Sequence, residues 1–118
     1  MTARLFVGFL EAVDVCFVYI TASSSEEARN IGRLLVEKRL AACINIYPVI
    51  ESIYRWEGSL VEEQETVFIA KTRMDLVEPL KEAVLSVHSY KTPCIVTLTL
   101  EKGYAPYLDW IRSETIHE

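Results

Sequence analysis

Four strands and two helices in the order β-α-β-β-α-β, closed by one more helix, make this an α+β chain on its sequence alone. Three observations predict that plan. Residues 42–73 read as one very long two-stranded hairpin. Residues 13–20 form a strand that is apolar on both alternating faces and leads into a capped amphipathic helix. A second helix and strand then follow the hairpin in the same order.

The first twelve residues contain a basic side chain and a short apolar run, but Leu5 to Leu10 is ended by Glu11 and no small-residue cleavage site follows, so they do not read as a signal peptide. They are a leader: an added strand, a helix turn or a disordered segment. Residues 13–115 make a single domain. In the first strand Val13, Val15, Phe17 and Tyr19 alternate with Cys16, Val18 and Ile20, the pattern of a central strand covered on two sides. Ser23-Ser24-Ser25-Glu26-Glu27 offers a Ser-x-x-Glu capping box in two registers. Ala28, Ile31, Leu34, Leu35 and Val36 then fall at helical spacing over residues 24–39. The strand, this helix and the first hairpin arm form a β-α-β unit whose two strands run parallel.

The hairpin carries the most information. Its first arm holds Ile44, Ile46, Tyr47, Val49, Ile50, Ile53, Tyr54 and Trp56; Trp56-Glu57-Gly58-Ser59 supplies a glycine-centred turn; Val67, Phe68 and Ile69 lie in the returning arm. An arm of about 15 residues at roughly 3.3 Å each is about 50 Å long, whereas a globule of this size is only about 35 Å across. The hairpin must therefore bend or overhang, and Pro48, which has no N–H for the ladder, marks the place for a bulge or bend. Beyond it, Asp75 and Glu78 offer a second capping box, with Pro79 in the first turn of a helix that ends near His88. Residues 94–100 are a β-branched strand, Gly103 follows the break, and residues 104–115 form the closing helix with Trp110. This is the split β-α-β, or ferredoxin-like, plan, with both helices on one face of an antiparallel sheet. The other face is left bare, and it is too apolar for a lone molecule, so the chain is expected to be an obligate homo-oligomer whose long arms meet those of its neighbours.

The composition agrees. Apolar residues make up 51 % of the chain, the net charge is −5 and no basic run occurs, which argues against nucleic acid as a partner. No stretch approaches the ~20 apolar residues of a membrane span. Cys16, Cys43 and Cys94 are far apart in strand-like runs and read as reduced thiols, Cys16 and Cys43 facing the sheet interior. A soluble protein of the cytoplasm is the expectation. Enzyme chemistry finds no footing: there is no Ser/His/Asp order, phosphate loop, HExxH or CxxC, and His88 and His117 are the only imidazoles.

Several blocks nonetheless carry a specific pattern. Leu40-Ala41-Ala42-Cys43-Ile44-Asn45-Ile46, Ser52-Ile53-Tyr54-Arg55-Trp56-Glu57-Gly58, Lys71-Thr72, His88-Ser89-Tyr90-Lys91-Thr92-Pro93 and Tyr107-Leu108-Asp109-Trp110-Ile111 resemble, in order and spacing, the signature blocks of the CutA divalent-cation tolerance proteins. The resemblance covers about residues 13–113. It implies a ferredoxin-like subunit, a PII-like homotrimer, a cytoplasmic location, an association with copper and other divalent cations, and no catalysis. In some bacterial members the proposed copper ligands are a Cys closing the first strand, a His ending the second helix and a Glu after the Tyr-x-x-Pro segment. The corresponding positions here are Ile20, Val87 and Cys94, so that site does not carry over, and the Pro that often precedes the Tyr is Ser89.

His88 and Cys94 flank one connector, and an imidazole with a thiolate is a soft pair for Cu(I) or Zn(II). A third ligand would have to come from a neighbour or solvent. The competing reading makes Cys94 a small apolar residue and His88 a helix C-cap. Glu62, Glu63 and Glu65 are either a hard-cation cluster or a solvated edge. Tyr54, Trp56, Glu65, Lys71 and Tyr90 are expected to line an intersubunit cleft, either as aromatic anchors of the interface or as a small-anion site of the PII kind; Lys71 either pairs with Glu65 or holds the anion.

Overall fold

The computed structural model describes residues 13–116, so the leader 1–12 and His117 lie outside the described residues. The elements are β1 (Val15–Ala22), α1 (Ser25–Glu37), β2 (Cys43–Trp56), β3 (Ser59–Arg73), α2 (Val77–Val87, entered through a 3₁₀ turn, Met74–Leu76), β4 (Ile95–Thr99) and α3 (Ala105–Glu114). The sheet order is β2-β3-β1-β4 with every pair antiparallel, which is the ferredoxin-like arrangement. β1 and β2 run in the same direction, as expected of a β-α-β unit, with β3 between them.

The core lies on one face. Cys16, Val18, Ile20 and Ala22 of β1 share it with Phe68 and Ala70 of β3, and all are buried against Ala28, Ile31 and Leu35 of α1 and Leu80 and Val84 of α2. Cys16 is interior, as expected. Cys43 is cross-strand from Lys71, on the opposite face, and is only half-buried, contrary to the expectation of an interior thiol. α1 approaches β2 so closely that a Cβ on Gly32 would lie 3.0 Å from Ile44 Cγ2.

At the start of α1, Ser24 is the cap: its Oγ accepts the Glu27 N–H at 3.1 Å. Glu27 reaches back one residue further, to the Ser23 N–H at 2.9 Å. The second capping box does not form. No side chain caps α2, because the Asp75 carboxylate is taken up by the Arg73 guanidinium through two bonds of 2.9 and 2.8 Å. The same guanidinium, nearly buried, donates to the Thr115 carbonyl at 3.1 Å and so ties the end of α3 to the sheet.

The hairpin overhangs. β1 runs out at the pair Ala22–Thr66, so the part of β3 from Ser59 to Glu65 pairs only with β2, over about 23 Å at 3.3 Å per residue. The molecule is accordingly 60 Å long but only 27 and 22 Å in the other directions, and its radius of gyration of 15.9 Å exceeds the ~13 Å of a compact chain this size. At the root of the overhang the register slips between Tyr47 and Ile50, placing the bulge at Pro48, whose carbonyl accepts the Thr66 hydroxyl at 2.7 Å. At the tip Glu57 and Gly58 both have positive φ, 50° and 83°, a two-residue turn matched to strand twist.

On the face away from the core, α3 covers one end only. There Lys71 Nζ donates to Tyr107 Oη at 2.9 Å and lies near the Phe17 and Tyr107 rings. The rest of that face and the overhang keep large apolar groups in water: Val96 is 50 % exposed, Leu98 43 %, Ile53 66 % and Leu60 65 %.

Candidate functional site

Where the overhang leaves the body, the connector after α2 folds under it and encloses a cleft of about 430 Å³. Tyr54, Trp56, Glu63 and Glu65 come from the hairpin, because Tyr54 and Trp56 alternate onto the same side of the ribbon as Glu63 and Glu65. Tyr90, Lys91, Thr92 and Cys94 come from the connector, and Thr21 closes the end of β1. Four of the expected cleft residues, Tyr54, Trp56, Glu65 and Tyr90, thus meet in one place, with Cys94 beside them. Within one chain Lys71 lies apart from them. It is six residues along β3 from Glu65, about 20 Å away, and engaged with Tyr107.

The charged groups of the cleft are Glu63, Glu65 and Lys91. The Tyr90 hydroxyl donates to Glu65 Oε2 at 2.8 Å, and the Tyr54 hydroxyl donates to Glu63 Oε1. The hydrogen bond to Glu63 pushes the Tyr54 phenol up to about 12, and burial, with the Glu65 carboxylate added, pushes Tyr90 higher still. Both phenols remain donors at neutral pH. Burial raises the Cys94 thiol, and the negative charge of Glu65 adds to it.

The connector is fixed from behind by two side chains. The buried His88 ring donates from Nε2 to the Thr21 carbonyl at 2.7 Å and accepts the Tyr90 N–H at Nδ1 at 2.9 Å. Both ring nitrogens are therefore committed, and His88 offers no free lone pair toward Cys94. It does terminate α2, where its backbone N–H donates to the Val84 carbonyl at 2.9 Å. Glu27 accepts from the Ser89 N–H at 2.8 Å and Ser89 Oγ at 3.0 Å as well as from Ser23. Burial alone would raise this carboxyl; the four donated bonds outweigh it and hold the group at about 2. Sequence reasoning saw Glu27 only as a helix cap. The available signal was Ser89, whose N–H and hydroxyl a proline there would not supply.

Two other expectations have definite places. Ile20, at one family ligand position, is fully buried in the core, and Val87 is an exposed apolar residue ending α2. Among the described residues no three His, Cys, Asp or Glu side chains are placed to hold a metal ion, all three cysteines are free, and no helix is long and apolar enough to cross a membrane.

Fold and site together define a class: a ferredoxin-like α+β subunit with a projecting β-ribbon and an acidic, aromatic cleft at its root. The family model described as CutA1 divalent ion tolerance protein matches residues 16–114. The chain is 49 % identical over 98 residues to the divalent-cation tolerance protein CutA of Thermus thermophilus, covering 83 % of this chain and 95 % of that one. The structure of the periplasmic divalent cation tolerance protein CutA from Archaeoglobus fulgidus superposes with a TM-score of 0.82 at 43 % identity, covering 85 % and 97 % of the two chains. CutA1 from Oryza sativa superposes at 0.87 with 34 % identity over 92 % and 99 %. This chain belongs to the CutA divalent-cation tolerance family. That family is described by ion tolerance and not by a reaction.

Proposed function

We propose that this protein is a non-enzymatic homotrimer of divalent-cation tolerance, which binds or responds to copper or another divalent metal at the cleft where its copies meet. The observation that carries the reading is that the Cys94 thiol and the Glu65 carboxylate line one cleft at the root of an overhanging ribbon. A thiolate suits Cu(I) or Zn(II), and a carboxylate supplies charge. One chain does not make a metal centre, so the remaining donor belongs to a neighbouring copy or to solvent. In the His88/Cys94 pair, Cys94 is then the ligand, and His88 serves by holding the connector unless it gives up one of its bonds. The exposed sheet face and ribbon support the trimer, since association removes that apolar surface from water at roughly 25 cal/mol per Å². Three free thiols accord with a reducing compartment, the cytoplasm. A small-anion sensor of the PII kind is not favoured, because the Glu63 and Glu65 carboxylates of the cleft outnumber its Lys91 and repel an anion.

Isothermal titration of the metal-free protein with Cu(I), Cu(II) and Zn(II) tests this. The expected result is saturable binding, lost in Cys94→Ala. Binding that Cys94→Ala leaves unchanged would overturn the site, and no binding of any of the three would overturn direct metal recognition.

A further inference from the structure

The ribbon leaves the sheet at a weak place. β3 has its last β1 partner at Ala22–Thr66, and at that same level β2 slips register at Pro48, so two strands alone continue outward from a bulge. A two-stranded ribbon is marginal by itself and a bulge bends the strand that carries it, so side chains must set the direction of the overhang. They grip it from both faces. On the core face the Pro48 carbonyl accepts the Thr66 hydroxyl at 2.7 Å and, from the start of α1, the Ser25 hydroxyl at 3.4 Å. Glu65, the neighbour of Thr66 in β3, turns to the opposite face by strand alternation and accepts the Tyr90 hydroxyl at 2.8 Å.

Tyr90 stands on a fixed base. Its N–H is held by the buried His88 ring at 2.9 Å, and Ser89 before it is held by Glu27. At the far end of the connector the Cys94 carbonyl accepts the Thr21 N–H at 3.3 Å. Beyond the bulge the other side-chain hydrogen bonds of the ribbon are its own, Tyr54 to Glu63 and Arg55 to the Gly58 carbonyl. Among the described residues Tyr90 is therefore the one side chain of the body that hydrogen-bonds to the overhang.

We propose that Tyr90 is a latch: its bond to Glu65 sets the angle at which the ribbon projects and so presents the ribbon to a second copy of the chain. The inference rests on the homotrimer proposed above and makes no use of a metal. Tyr90 is a positioning residue, acting through Glu65 and not through a contact of its own with the neighbour. A ribbon already held in its docked direction loses less freedom on association, so the latch is read as affinity between copies.

The test uses the chelator-treated protein and Tyr90→Phe, which removes only the hydroxyl. In sedimentation over a dilution series, Tyr90→Phe should come apart at a protomer concentration about tenfold above the parent's, the worth of one such bond. Hydrogen exchange should rise in the ribbon, residues 50–65, while β1 keeps the parent's protection and so shows that the variant is folded. Glu65→Ala should match Tyr90→Phe, and Glu65→Gln, which keeps an acceptor, should stay near the parent. The double variant Tyr90→Phe/Glu65→Ala should be no worse than either single one. Additive losses in the double variant would make Tyr90 an interface contact and overturn the latch. A trimer whose dissociation and ribbon exchange are unmoved by Tyr90→Phe overturns the latch alone, whereas a parent protein that sediments as one chain overturns the homotrimer reading and, with it, the presentation to a second copy.

Discussion

Glu27 fastens two parts of the chain that are far apart in sequence, and its loss has a calculable cost. Its carboxylate accepts four bonds, from the N–H and hydroxyl of Ser23 at 2.9 Å each and from those of Ser89 at 2.8 and 3.0 Å. These hold the group at about 2, against an ordinary value of 4.5. At about 1.36 kcal/mol per pKa unit, the folded state gains on the order of 3 kcal/mol from the ionised form. The folded value is depressed, so this stability is fully present above pH 4.5 and is lost as pH falls from there towards 2. Glu27→Gln keeps the shape but gives up the charge and turns one acceptor into a donor facing N–H groups. Urea unfolding at fixed protomer concentration should show the variant about 3 kcal/mol less stable at pH 7, with the two curves converging as pH approaches 2. Ser89→Ala, which removes one bond of the four, should cost about 1 kcal/mol. A deficit in Glu27→Gln that is the same at pH 7 and pH 3, or below about 0.5 kcal/mol throughout, would refute the role given to this clasp.

Three further outcomes follow from the same geometry. Gly58→Ala meets no atom within 4 Å, so its effect is the left-handed backbone alone, φ 83°; it should lower stability by about 1–2 kcal/mol without altering the core, and an unchanged unfolding midpoint would contradict the turn. Arg73→Ala breaks the Asp75 pair and frees the Thr115 carbonyl, for about 2 kcal/mol, and should raise hydrogen exchange selectively in α3. Burial, with the charges of Asp14 and Asp75 added, pushes the Cys16 thiol up to about 11 from 9. Its stabilising effect is present below pH 9 and lost as pH rises towards 11, so Cys16→Ala should lose less stability over that window than the parent, and Cys16 should resist alkylation in the folded protein at neutral pH.

Much of this architecture was legible because it depends on local rules. The overhang came from counting residues against the size of a globule, the bulge from the missing N–H of Pro48, and the start of α1 from Ser24 and Glu27. What was not legible depends on which distant groups arrive first. Asp75 has the spacing of a capping residue, but Arg73, two residues earlier, offers a charged bidentate partner, and a neutral cap does not compete with it. Lys71 sits on the expected strand, yet strand length alone puts it six residues from Glu65, where α3 supplies Tyr107. His88 looks like a ligand until folding brings the Thr21 carbonyl and the Tyr90 N–H to its two nitrogens. Within one chain the cleft gathers the expected Tyr54, Trp56, Glu65 and Tyr90, while Lys71 lies apart with Tyr107.

The claim beneath all of this is that the uncovered sheet face and the projecting ribbon are completed by other copies of the chain. Sedimentation of the protein at micromolar concentration tests it most directly. The account predicts a single species with three times the mass of one chain, whereas a folded species with the mass of one chain would contradict it.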